Sequence, residues 1–106
     1  MIAAAVSLRT VVLKWVTTKY FSMKHAMATT LGSLSDLLDK IRTRQGIKEK
    51  KLGIFYRKSK SFLHFHEDPA GVFADVRVGA DFHRYPVNTK EEWKVLLMAI
   101  DRTLDA

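Results

Sequence analysis

Phe62-Leu63-His64-Phe65-His66-Glu67-Asp68-Pro69 is the stretch that decides the fold. It alternates strictly, which predicts a strand with both imidazoles on one side and Leu63 and Phe65 on the other. Asp68-Pro69-Ala70-Gly71 then supplies four turn-forming residues, and Val72–Val78 alternates again, so the two runs read as a hairpin. Further strands are expected at about Leu52–Arg57 and Phe82–Val87, joined through Lys58–Lys60 and Gly79-Ala80-Asp81. This spacing predicts a four-stranded antiparallel meander.

A helix is expected on either side of the sheet. The first should start near Ser33, with Ser33 or Ser35 as N-cap and Asp36 in the first turn. Leu34, Leu37, Leu38 and Ile41 give it an apolar stripe, and Gly46 suits its C′ position. The second runs from about Lys90 to Leu104, opened by a capping box at Thr89-Lys90-Glu91-Glu92. Trp93, Leu96, Leu97, Ile100 and Leu104 form its stripe. The fold class is therefore α+β, in the order α-β-β-β-β-α, with both helices on one face of the sheet.

Period-two alternation makes register consequential, because a slip of one residue turns every side chain over. Placing Leu63 opposite both Tyr56 and Val76, and Phe65 opposite Ile54 and Ala74, puts Leu52, Ile54, Tyr56, Leu63, Phe65, Val72, Ala74, Val76 and Val78 on the helix side. The same register gives the other face Phe55, Arg57, Phe62, His64, His66, Phe73, Asp75 and Arg77. His64 falls opposite Asp75, close enough for a hydrogen bond, and Arg57 and Arg77 flank Phe62. For the last strand, a two-residue loop places Arg84 opposite Asp75, and a three-residue loop places Tyr85 there.

Three phenylalanines together on a solvent face call for a cover. Self-association of the sheet face into a homodimer is the first reading, with the candidate functional face being His64, His66, Asp75, Arg77, Phe55, Phe62 and Phe73. Single-stranded nucleic acid is a second, since aromatics interleaved with arginines stack bases and meet phosphates, although no RNA-recognition signature is present. A third is a divalent transition metal held by His64, His66 and Asp75, or a His64–Asp75 general base, with no nucleophile placed. A fourth is a small-molecule pocket near Trp93 and Tyr56, residues whose spacing equally suits plain core. Binding or interaction, without a cofactor, is the leading expectation, and a metal-dependent or general-base enzyme the alternative.

Composition bounds these readings. The 106 residues suffice for one small domain, and 47% hydrophobic with 27% charged residues is ordinary for a globular chain. The net charge of +7 is divided unevenly: +10 over residues 1–60 and −3 over residues 61–106. Lys40 to Lys60 is the densest basic segment and suits acidic or phosphate-bearing partners, or a plain solvated surface. The chain has no cysteine, which excludes disulfides and thiolate metal sites and fits a reducing, cytoplasmic setting. No apolar run approaches the about 20 residues needed to span a bilayer, so no membrane partner is expected. Residues 1–22 are Ala/Val/Thr-rich, with Arg9, Lys14 and Lys19 and no acid before Asp36. They are expected to be an extension outside the fold, either a basic leader or the product of an early start before Met23 or Met27. Thr10–Val16 has the β-propensity for an added edge strand instead. Residues 31–106 are expected to form the domain.

The segment Phe62–Arg77, FLHFHEDPAGVFADVR, resembles one found in small bacterial proteins of no known activity. The resemblance covers about residues 31–104 and leaves out the N-terminal extension. It implies no catalytic or binding residue.

Overall fold

The computed structural model describes residues 26–106. The proposed extension at residues 1–22 and the edge strand at Thr10–Val16 lie outside the described residues. Two short helices, α1 (Ala28–Ser33) and α2 (Ser35–Arg42), precede strands β1 (Lys48–Lys51), β2 (Ile54–Arg57), β3 (Lys60–Asp68), β4 (Gly71–Val78) and β5 (Asp81–Pro86). Helix α3 (Lys90–Asp105) closes the chain. The strands form one antiparallel sheet in sequential order, so the α+β class and the meander stand. No described helix is long and apolar enough to cross a membrane.

The sheet has five strands rather than four. The added strand, β1, reads Lys-Glu-Lys-Lys and carries no apolar alternation, so the pattern that reveals a half-buried strand is missing. It is an edge strand held by β2 on one side, and Glu49 secures it to the rest of the fold. Glu49 takes a two-pronged bond from Arg42 (Nε to Oε1 2.5 Å, Nη2 to Oε2 2.9 Å) and accepts the Gly53 amide at 2.8 Å. Gly53 turns the chain at φ +75°, beside Leu31.

The first helix also differs from its expectation. The chain makes two helices that meet at Leu34, and neither Ser33 nor Ser35 caps the second by its side chain. The Ser33 hydroxyl instead donates to the Thr30 carbonyl at 2.6 Å, back into its own helix. The apolar stripe is unaffected: Leu34, Leu37, Leu38 and Ile41 are all buried. Helix α3 follows its pattern, with Thr89 and Glu92 completing the capping box and the Trp93 indole donating to the Val87 carbonyl at 2.9 Å.

Pairing of β3 with β4 has the expected register, with Leu63 opposite Val76, His64 opposite Asp75 and Phe65 opposite Ala74. The β4–β5 turn is the two-residue alternative, Gly79-Ala80, which sets Arg84 opposite Asp75. The β2–β3 register is corrected by one residue. Phe55, not Tyr56, faces Leu63, while Tyr56 faces Ser61, so Phe62 is an extra residue on β3. Such a bulge rotates the strand locally and sends Phe62 to the same side as Leu63. Phe55 and Phe62, expected on the face opposite the helices, are 1% and 2% exposed and belong to the core. Arg57 follows Phe55 inward and donates to the Thr103 carbonyl of α3 at 3.3 Å. Leu52, expected in the core, is exposed at the β1–β2 turn.

The core is one cluster joining Leu31, Leu37, Leu38 and Ile41 to Phe55, Phe62, Leu63, Phe65, Ala74 and Val76 of the sheet and to Leu96 and Ile100 of α3. Its dependence on Phe62 gives a direct test of the bulge. Phe62→Ala should cost about 3–5 kcal/mol of unfolding free energy, as a core cavity does. Phe82→Ala, at a residue 38% exposed, should cost about 1 kcal/mol or less. Urea unfolding of the two variants would contradict the bulge if their losses were equal.

Candidate functional site

The face of the sheet opposite the helices is built by alternation along β3, β4 and β5. His64 and His66 project from β3, Phe73, Asp75 and Arg77 from β4, and Phe82 and Arg84 from β5. Phe55 and Phe62 have left this face for the reason given above, so Phe73 and Phe82 are its phenylalanines.

Asp75 is the hub. Its Oδ1 accepts from Arg84 Nε at 2.9 Å, and its Oδ2 accepts from Arg84 Nη2 at 3.1 Å. The same Oδ2 lies 3.1 Å from His66 Nε2. The backbone pairs Asp75 with His64 as expected, yet the side chain reaches diagonally to His66. Diagonal neighbours in a twisted antiparallel pair are within reach of an imidazole. His66 and Asp75 are each 7% exposed, and His64 is half-buried. The two imidazoles meet edge to face, with centroids 4.8 Å apart and planes at 84°. His64 also packs on the Phe82 ring at 4.8 Å.

Two arginines cover the aromatic flanks. The Arg77 guanidinium sits over Phe82 at 4.5 Å, and its Nε donates to the Ser61 carbonyl at 2.7 Å. The Arg84 guanidinium lies 5.8 Å from the Phe73 centroid while gripping Asp75. Arg84 was the residue of this site hardest to read from the chain, because its place depends on the length of the β4–β5 loop. Gly79-Ala80 is the signal that locates it, a two-residue hairpin turn opened by a glycine at φ +67°.

Burial pushes the Asp75 carboxyl up, but the hydrogen bonds and charge of Arg84, aided by the neighbouring imidazoles, outweigh it and hold Asp75 below the usual carboxylate range. Asp75 in turn raises Arg84. Glu49 and Asp101 are likewise lowered by Arg42 and Arg44, but those pairs stand on the helix side and take no part here.

What the arrangement offers is two imidazoles and a carboxylate whose ligand atoms all lie within 4.8 Å of one another. Four donors at about 2.1 Å from a tetrahedral ion are about 3.4 Å apart, so a modest side-chain rotation would bring the three to coordinating distance. The chain matches no family model, no curated protein and no solved structure.

The lowered Asp75 fixes the sign of a pH effect. An unfolded Asp titrates near pH 3.9 and the folded Asp75 below it. The Asp75–Arg84 pair therefore stabilises the fold fully above that pH, and its contribution is lost as acid protonates the folded carboxylate. Asp75→Asn should cost about 2 kcal/mol at pH 7, the scale of hydrogen bonds to a charged group. Unfolding measured from pH 7 down to pH 2 should show the two proteins converging below about pH 4. A gap that stays constant with pH would refute this role for the carboxylate.

Proposed function

We propose that this domain binds a divalent transition metal through His64, His66 and Asp75. The single observation that carries the reading is the convergence of these three ligand atoms within 4.8 Å on two paired strands. Two imidazole nitrogens and one carboxylate oxygen suit zinc, manganese or iron better than magnesium or calcium, which favour all-oxygen sites. Arg84 and Phe82 supply the surroundings. Arg84 orients the carboxylate by donating to both of its oxygens, as an outer hydrogen-bond partner of a metal ligand does, and Phe82 packs against the His64 ring. Three protein donors leave a coordination position for water or a substrate atom, which keeps hydrolytic or Lewis-acid chemistry within reach of the site.

The self-association reading drew on three phenylalanines gathered on this face, and two of them, Phe55 and Phe62, are in the core. Phe73, the one that remains, and Phe82, which joins it from β5, carry the guanidinium groups of Arg84 and Arg77. The support therefore moves from apolar burial between copies to polar chemistry within one.

Protein prepared without a histidine tag should take up one equivalent of zinc, manganese or ferrous iron in calorimetric titration. At a hundredfold excess of the ion over its Kd, its melting temperature should rise by about 10 °C or more. His64→Gln and His66→Gln should each weaken uptake at least tenfold. Absence of stoichiometric uptake of all three ions, or uptake indifferent to His64→Gln, would overturn the assignment.

A further inference from the structure

The acidic residues of the described chain are not spread evenly over its cations. Arg42 is taken up by Glu49 and Asp39, Arg44 by Asp101 and Arg84 by Asp75. Six other cations gather at the end of the sheet where β2 turns into β3: Lys48, Lys50, Arg57, Lys58, Lys60 and Arg77. Among the described residues none of the six forms an ion pair.

Their placement is orderly. The turn Lys58-Ser59 has positive φ at both residues, 52° and 72°, the backbone of a tight two-residue hairpin that keeps the strand ends close. A hollow lies on either side of it. One, of about 350 Å³, is bordered by Arg57, Lys58, Lys60 and Arg77. The other, of about 400 Å³, is bordered by Lys48, Lys50 and Lys58 and includes Tyr56. Lys58 lines both, and no carboxylate lines either. The two arginines are pre-positioned: Arg57 is anchored on the Thr103 carbonyl and Arg77 on the Ser61 carbonyl. In the second hollow the Lys50 ammonium stands 4.6 Å from the Tyr56 ring centroid, on a ring that is half-buried and so held in place.

We propose that this basic end of the sheet binds single-stranded nucleic acid, its phosphates crossing the Lys58-Ser59 turn from one hollow to the other and a base stacking on Tyr56 in place of the Lys50 ammonium, which swings to a phosphate. Serial positive charge with no carboxylate lining either hollow suits a chain of phosphates rather than a single anion, and an aromatic ring beside it is what distinguishes a nucleic acid from any other polyanion. The surface is distinct from the His64, His66 and Asp75 cluster, and the proposal does not rest on metal binding.

Fluorescence anisotropy with a labelled 12-nucleotide DNA oligomer, using the full chain, tests this. With four phosphate contacts, affinity should fall about fiftyfold between 50 and 200 mM salt. The K58Q/K60Q variant should bind at least tenfold more weakly than wild type, whereas K90Q/K94Q, on α3, should bind as wild type does. Tyr56→Leu should weaken oligomer binding about tenfold and leave binding of inorganic polyphosphate unchanged. Unchanged melting curves for these exposed-lysine variants would tie the losses to the surface rather than to the fold. Four results would overturn the proposal: no oligomer binding at 50 mM salt, equal losses from the two lysine pairs, Tyr56→Leu without effect, or tighter binding to anionic vesicles or polyphosphate than to the oligomer.

Discussion

The pairing of Leu63 and Phe65 with Val76 and Ala74 is the constraint on which the rest of this structure depends. These four side chains lie in the core, and their burial sets which face of β3 and β4 is turned to the helices. Because the side-chain period of a strand is two, the same burial compels His64, His66, Phe73 and Asp75 to share the opposite face. The polar cluster is thus a geometrical consequence of the apolar one. A change that moved Leu63 out of the core would disperse the histidines as surely as mutating them.

Much of this was legible in the chain. From Leu63 to Phe65 and from Ala74 to Val76 the central hairpin pairs as its alternation predicts, Asp68–Gly71 marks the turn, and a capping box opens α3, so local propensity and tertiary packing agree there. Three features escaped for identifiable reasons. Strand β1 is a lysine-rich edge with no buried side to leave a pattern. The bulge at Phe62 is an insertion relative to a partner strand, and alternation within one strand cannot report a mismatch between two. Phe62-Leu63 is an adjacent apolar pair, and that adjacency is the trace such a bulge leaves. The break at Leu34 is also local: the Ser33 hydroxyl bonds back to the Thr30 carbonyl and neither serine caps the helix that follows, so the serines mark a helix start that the chain does not use.

For the site, sequence reasoning brought His64, His66 and Asp75 together and misassigned the partner. Opposition in the ladder pointed to His64 for Asp75, whereas the carboxylate bonds the diagonal His66 and is gripped from the far strand by Arg84. Directly opposed residues are close at Cβ, but where a side chain's polar end goes is decided by twist and by competing donors. The carboxylate takes the two parallel donors of the Arg84 guanidinium and still holds the His66 nitrogen on Oδ2.

The two margins of the sheet have a consequence for how copies of this protein meet. An unpaired strand edge is a template for another strand, and natural sheets guard against it. Among the described residues one margin is β1, three lysines in four residues, the kind of charge that guards such an edge. The other is β5, which ends at Pro86, a residue with no amide hydrogen to offer a newcomer. Runaway edge-to-edge growth is thereby discouraged at both sides, and the apolar strands β2 to β4, the segments most able to nucleate fibrils, are kept in the interior of the ladder. The lysines and the proline, which break the apolar pattern of the sequence, are the residue types that guard the margins of a sheet.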